Sequence, residues 1–172
     1  MNEIEKAVIN ISEMMALAAK TAPKARGEDN LVIKVFKENE LDKLADQMET
    51  TGKSTKRPDT FKRDASSVRK SFSALVIGTR YSTLNLDCGF CGHPTCESAK
   101  SKDITCAYNS GDLGIAVGSA CGIASDFHVD NRIMYTLGYT VVKNGLMGDD
   151  IRMALGIPRS ATSKNPYFDR KP

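Results

Sequence analysis

The sequence contains no tryptophan, only two histidines and few aromatic residues, 6% of its 172 positions. Its net charge is only +3 and it has no RNA-binding aromatic motif, so nothing favours a nucleic-acid partner. No apolar run approaches the ~20 residues that a membrane span needs, and no targeting segment is recognisable. The sequence therefore predicts a cytoplasmic, soluble protein without membrane partners, folded as one domain over residues 1–172.

Familiar catalytic and nucleotide-binding motifs are missing as well. The chain has no P-loop, no G-x-G-x-x-G turn, no HExxH helix and no Ser-His-Asp order. The sequence therefore names no catalytic residue, no substrate and no electron donor or acceptor. Whether the protein is an enzyme stays open at this point.

What the sequence does contain is a run of four cysteines with the spacing C-x2-C-x4-C-x9-C, at Cys88, Cys91, Cys96 and Cys106. Four thiolates in one short loop can enclose an iron–sulfur cluster without ligands from the rest of the fold. Gly89 and Gly92 each follow a cysteine, where a loop winding round a cluster needs unusual backbone angles. We therefore predict a [4Fe–4S] cluster on these four cysteines.

Three other interpretations of the cysteines remain open. Structural zinc also takes four thiolates, but it usually draws them from two C-x2-C pairs, and only one such pair exists here. A disulfide framework is typical of short secreted chains. A redox-active C-x-x-C pair would leave Cys96 and Cys106 without a role.

Two further residues and one charged segment are candidates for supporting roles. His93 lies inside the cysteine loop and is placed to donate a hydrogen bond to a sulfur. Cys121 falls in an apolar segment and is predicted to be a buried, inert thiol. Basic residues concentrate between Lys53 and Lys70, either as a solvated face or as a docking surface for an acidic redox partner protein.

Hydrophobic periodicity predicts the helices and strands. The predicted helices cover residues 3–20, 41–48, 60–70, 113–124 and 133–142, the last closed by Gly145. The predicted strands are 31–36, a buried central strand at 73–77 and an edge strand at 153–157, followed by a loop-like tail over 158–172. This order indicates an α+β fold, a small β-sheet wrapped by helices, with the cysteine-rich loop inserted at 80–110.

The helix predicted over 113–124 is apolar nearly all round, which predicts burial. Gly114, Gly118 and Gly122 recur every four residues along it, so one of its faces has no side chains. Two interpretations remain open: tight packing against a neighbouring backbone, or a floor for a flat ligand.

The segment Cys88-Gly-Phe-Cys-Gly-His-Pro-Thr-Cys96-Glu resembles the C-G-x-C-G-x-x-x-C-E signature of a small iron–sulfur module. That module occurs in the corrinoid iron–sulfur protein of acetyl-CoA synthesis and in the B subunit of an ion-translocating electron-transport complex, although the fourth cysteine arrives sooner here. The segments 112–120 and 129–135 are similar to uncharacterised prokaryotic proteins described as containing a ferredoxin domain, and this likeness covers nearly the whole chain. It implies a cluster but no known reaction.

The chain also resembles the FMN-dependent nitroreductases. The turn around Ala22-Pro23 before a strand, the run 130–146 and Leu155-Gly-Ile-Pro158 are similar to that family's motifs, but its arginine-rich arm before the first helix has no counterpart. The resemblance implies a nitroreductase-like fold and a homodimeric reductase with FMN at the subunit interface. A flavin phosphate would need cations. The candidates are Lys24, Arg26, Arg159, Lys164 and Arg170.

Three functional hypotheses follow. The first is a cytoplasmic protein that transfers single electrons through one [4Fe–4S] cluster to an unidentified redox partner protein. The second is a reductase that contains both FMN and the cluster. The third is a structural zinc protein or a sensor built on a labile cluster.

Overall fold

Residues 1–168 are described by a computed structural model. Within them the helices are α1 (Glu3–Thr21), α2 (Asn39–Gly52), α3 (Pro58–Arg69), α4 (Cys96–Ser101), α5 (Ala107–Asp126) and α6 (Tyr135–Lys143). The strands are β1 (Leu31–Lys37), β2 (Ser73–Arg80), β3 (Asp130–Asn131) and β4 (Ile151–Ser160), and a 3₁₀ turn covers Ala25–Gly27. Every element that the sequence predicts is present, with the short α4 and β3 added. None of the helices described is long and apolar enough to cross a membrane.

The four strands form an antiparallel sheet in the order β1-β2-β4-β3. β2 lies between β1 and β4, and seven of its eight residues are buried, which confirms the predicted buried central strand. The prediction of an edge strand at 153–157 is wrong: β4 is longer, pairs with β2 from Ile151 to Arg159, and meets β3 at its far end. The predicted tail therefore begins only after Ser160. Polar side chains at 159 and 160 are typical of a loop, but both are buried here.

Helices cover both faces of the sheet, which confirms the predicted small sheet wrapped by helices. Side chains alternate along β2: Leu75 and Ile77 pack beneath α1 and α5, whereas Ala74 and Val76 pack beneath α2, α3 and α6. This alternation produces two hydrophobic cores, one on each side of the sheet. The cysteine loop leaves β2 and enters α5, and so it belongs to the side of the sheet on which α1 and α5 lie.

The expectation that α5 is buried all round is wrong. Its inner face packs against α1 and the sheet, but Gly114, Gly118 and Gly122 are exposed on its outer face. A Cβ placed on any of them would meet no heavy atom of the described chain within 4 Å. Hydrophobic content alone does not reveal that a row of glycines on this helix faces away from the core.

Helix α6 begins at Tyr135, two residues later than predicted. Its predicted end is confirmed. Gly145 adopts the left-handed conformation, at φ 61°. The Gly145 N–H donates to the Val142 carbonyl (3.2 Å), and the Leu146 N–H to the Val141 carbonyl (3.0 Å). This pair of bonds is the usual glycine-dependent helix ending.

Arg159 is fully buried, so it does not lie in a solvated tail and its side chain is not accessible to a flavin phosphate. Its Nε donates to the Ser73 hydroxyl (3.2 Å) and its Nη1 contacts the Met15 sulfur (3.7 Å). Its Nη2 has no partner, and no carboxylate within residues 1–168 forms an ion pair with it. Burial lowers the pKa of the guanidinium to about 9, so it remains charged at neutral pH.

Replacing this buried cation by an apolar side chain of similar length is expected to stabilise the protein. We expect Arg159→Met to raise the free energy of unfolding by about 1 kcal/mol or more, because a buried charge without an ionic partner is costly. Ser73 keeps its bond to the Ser12 hydroxyl (2.8 Å) in this variant. Arg159→Ala is the comparison, since its cavity should lower stability. Urea denaturation measures both, and a destabilised Arg159→Met variant would contradict the prediction.

Candidate metal centre

The loop between β2 and α5 brings the four predicted cysteines to one small pocket. Its lining consists of these cysteine side chains together with neighbouring loop residues, namely Asp87, Cys88, Gly89, Cys91, His93, Thr95, Cys96, Cys106 and Ala107. All four cysteines are free thiols, from the exposed Cys88 to the buried Cys106. His93 lines the same pocket, and a hydrogen bond from its side chain to a sulfur stays a prediction.

The backbone of the loop turns where the glycines allow it. Gly89 and Gly92 adopt positive φ angles of 72° and 81°, and the Gly92 N–H donates to the Gly89 carbonyl (2.8 Å). A side chain at either position would be strained, because L-residues rarely adopt this conformation. These two residues therefore give the loop the tight turn that the sequence predicts around the first pair of cysteines.

Asp87 is a site residue that the cysteine spacing does not reveal. It too adopts a left-handed conformation (φ 47°), which aspartate tolerates better than most residues. Its Oδ1 accepts a hydrogen bond from the Cys96 N–H (2.6 Å). This hydrogen bond joins Asp87, which precedes the first cysteine, to Cys96, the third cysteine. It therefore ties together two parts of the loop that line the pocket.

Cys106 is the N-cap residue of α5, a helix of twenty residues. The first N–H groups of a helix carry partial positive charge, which stabilises a thiolate or an anionic group beside them. No side chain caps this helix. The fourth cysteine therefore lies next to the positive end of the α5 dipole.

Asn109 supplies an unsatisfied donor close to the same cysteine. It is almost fully buried, and its Oδ1 accepts the Ser82 N–H (3.2 Å). Its Nδ2 is buried without a hydrogen-bond partner among the described residues. Its backbone N–H donates to the Cys106 carbonyl (3.0 Å), but Asn109 is not among the residues that line the cysteine pocket.

The described cysteines do not converge on a single point. Within residues 1–168 no group of three or more histidine, cysteine, aspartate or glutamate side chains is arranged to hold one metal ion. A lone zinc ion bonds each sulfur at about 2.3 Å and so needs the sulfurs within about 4 Å of one another. A cluster of four irons and four sulfides is larger and needs them further apart. The four cysteines thus share one pocket without forming a site for a single metal ion among the described residues.

Cys121 lies apart from this pocket, on α5. It is half-buried, less so than predicted, and burial raises the pKa of its thiol while Arg159 opposes the shift. A raised pKa leaves the group as an unreactive thiol at neutral pH. The structure therefore gives the fifth cysteine no part in the pocket.

The predicted flavin-phosphate cations lie in two segments. Lys24 donates to the carbonyls of Lys20 (2.6 Å) and Ala22 (2.8 Å) at the end of α1. Arg26 donates through Nη1 to the Leu84 carbonyl (2.7 Å). Lys164 follows β4, and Arg170 lies outside the described residues. Their role at a phosphate stays a prediction.

A family model described as "Uncharacterized protein containing a ferredoxin domain" matches residues 102–170, which include Cys106 but not the other three pocket cysteines. The chain is also similar to an uncharacterized protein of Archaeoglobus fulgidus. The two are 39% identical over an alignment of 168 residues, which covers 92% of this chain and 89% of the relative. The sequence likeness therefore extends over nearly the whole chain.

Solved structures of nitroreductases have a similar fold. One from Desulfitobacterium hafniense with bound FMN matches with a TM-score of 0.61 at 12% identity, over 94% of this chain and 82% of that one. The nitroreductase CinD of Lactococcus lactis in complex with chloramphenicol gives 0.63 at 10% identity, over 90% and 78%. A nitroreductase of Saccharomyces cerevisiae gives 0.63 at 9% identity, over 91% and 83%. The chain belongs to the ferredoxin domain-containing family, and its fold is that of the nitroreductases.

Proposed function

We propose that this protein binds a [4Fe–4S] cluster and transfers single electrons through it. The observation that carries the proposal is the single pocket lined by Cys88, Cys91, Cys96 and Cys106. The ferredoxin domain of its family supports the same chemistry. The inserted loop at 80–110 would then be the cluster-binding part of the chain. When bound, the cluster would supply one-electron redox chemistry at this pocket.

The surface around the pocket suits electron exchange with another protein. Cys88 is exposed, so the pocket lies at the surface and not within either core. Phe90 is 72% exposed and stacks on Tyr108 with the ring centres 5.6 Å apart. An exposed, ordered aromatic pair between the first two cysteines and the start of α5 offers apolar contact area to a redox partner. These side chains would position the partner within electron-transfer distance.

Anaerobic purification with iron, sulfide, zinc and flavin measured together tests this proposal. We expect about four irons and four sulfides per chain, because that is the composition of the cluster. Stoichiometric zinc with no iron would overturn the proposal and favour the structural or sensing role. The same preparation shows whether flavin is released on denaturation.

A second candidate is a homodimeric reductase that holds FMN as well as the cluster. The fold favours it, since a nitroreductase of this fold has FMN bound. The bare outer face of α5, with Gly114, Gly118 and Gly122, would allow the backbone of a second copy to approach closely. Lys24, Arg26, Lys164 and Arg170 are the proposed phosphate ligands. A monomer in solution that shows no FMN binding in a titration would remove this candidate.

A further inference from the structure

We propose that a groove along α6 binds a phosphorylated planar heteroaromatic molecule, a ligand of the nucleotide class. The groove, here named the tyrosine groove, is lined by Tyr135 and Tyr139 of α6, by the connection between α2 and α3, and by the first half of β4. It lies on the other side of the sheet from α5 and shares no lining residue with the cysteine pocket. The proposal therefore does not depend on the cluster.

The floor of the groove is a pair of rigid aromatic rings. Tyr135 and Tyr139 are one helical turn apart, and 48% and 39% of their surfaces remain exposed. Both contact the buried Phe61 edge-to-face, with ring centres 6.1 Å and 5.8 Å away. Phe61 fixes the two rings from below and leaves exposed ring surface free for another flat ring.

The space beside these rings has the size of a small-molecule site. One cavity of about 400 Å³ lies between the tyrosines and the segment 54–57. A second cavity, of about 580 Å³, lies between the tyrosines and the segment 151–155 of β4. Ligand sites in proteins are typically about 300–1,000 Å³, so each cavity has room for a ring with its sugar and phosphate.

The charges at the groove are all of one sign. Lys56, Arg57, Lys143 and Arg152 line the two cavities, and none of the described lining residues is acidic. Arg152 is paired with Asp103, and the Lys143 ammonium lies 5.6 Å from the centre of the Tyr139 ring. Lys56 and Arg57 form no ion pair within residues 1–168. Cations without carboxylate partners above an aromatic floor complement an anionic group attached to a flat ring.

The shape of the groove favours a small ligand over a nucleic-acid strand. A strand would need a continuous basic track for its backbone. On α3 the positive charge is interrupted, because Arg63 pairs with Asp64 and Arg69 pairs with Asp46 and Glu49, although Lys62 forms no ion pair within residues 1–168. The two cavities beside the tyrosines are each of small-molecule size.

Isothermal titration of the purified full chain with FMN, NADPH and ATP tests the proposal, with riboflavin and adenosine as matched compounds that lack phosphate. We expect at least one of the three phosphorylated probes to bind, and its unphosphorylated counterpart to bind about ten-fold more weakly or not at all. Tyr139→Ala should weaken binding by about ten-fold through lost stacking, whereas Tyr139→Phe should retain it. The double variant Lys56→Ala/Arg57→Ala should weaken binding of the phosphorylated probe by about ten-fold but leave riboflavin or adenosine unaffected.

Lys43→Ala on α2 and Phe127→Ala after α5 are the controls, as both residues are exposed and lie outside the groove. Thermal unfolding of every variant shows whether the fold is retained.

No binding by any of the three probes would overturn the proposal, as would binding that Tyr139→Ala leaves unchanged. FMN binding that is lost in Lys24→Ala/Arg26→Ala but kept in Tyr139→Ala would place the flavin elsewhere and also overturn it. Binding of an oligonucleotide but of no mononucleotide would have the same consequence. Iron content, measured on the same samples, tests the cluster separately.

Discussion

Serine at Cys106 is expected to remove the iron and sulfide that we propose the wild-type protein carries, from about four of each per chain to almost none. A serine hydroxyl is a harder and far less acidic donor than a thiol, and it does not replace a thiolate on iron. Cys106 is also the proposed ligand whose position is best defined, because it is the N-cap residue of α5 and is the buried one of the four pocket cysteines. Serine at Cys88, Cys91 or Cys96 should likewise abolish or degrade the cluster. Iron and sulfide analysis and the visible absorption spectrum measure the loss.

The chain provides its own control in Cys121, which lies in α5 outside the pocket. Cys121→Ser should keep the wild-type iron content, so any loss caused by handling or oxidation is distinguished from loss of a ligand. Iron content that stays at the wild-type level in all four pocket variants would contradict the cluster proposal. Zinc in place of iron, lost in the same four variants, would support the structural role instead.

Gly138→Ala is expected to lower the free energy of unfolding by about 3 kcal/mol, because the added methyl group would clash with backbone atoms, which cannot move aside as a flexible side chain can. A Cβ at this position would overlap the backbone carbonyl of Ala154, where α6 crosses β4. Neither element can shift easily, since β4 is paired with β2 along most of its length. The helix would have to move away from the sheet, and the tyrosines that it carries would move with it. Chemical denaturation followed by circular dichroism measures the change.

Gly122→Ala is the matched control, a second glycine in a helix interior changed in the same way. A Cβ there meets nothing within 4 Å in the described chain, so the only expected effect is the better helix propensity of alanine, a gain of up to about 1 kcal/mol. A Gly138→Ala variant that is as stable as Gly122→Ala would show that the contact between α6 and β4 is looser than described. That result would also weaken the case for a rigid aromatic floor on α6.

Much of this architecture could be predicted from the sequence because local signals are strong. The heptad-like spacing of α1, the apolar run of β2 and the glycine that ends α6 are each encoded within a few neighbouring residues. The cysteine pocket is equally local, since its four cysteines lie within one short segment. Cysteine spacing and adjacent glycines therefore suffice to predict which side chains come together.

The features that sequence reasoning missed depend on distant partners. Arg159 and Ser160 have the composition of a loop, and only the pairing of β4 with β2 and β3 buries them. The glycine face of α5 is open because no other part of the described chain packs against it, and the hydrophobicity of the helix does not predict this. Asp87 and Asn109 act as single residues whose partners are known only from the fold. The tyrosine groove combines three separate segments and has no local pattern at all.

The four pocket cysteines come from a connection between two elements, and none of them lies in a strand. The hydrogen-bonded sheet and its two cores are therefore complete without anything in the pocket. We expect that damage by oxygen would empty the pocket but leave a folded polypeptide that can be refilled. With such an arrangement, a cell could restore the contents of the pocket in the folded protein, without unfolding or resynthesising the chain.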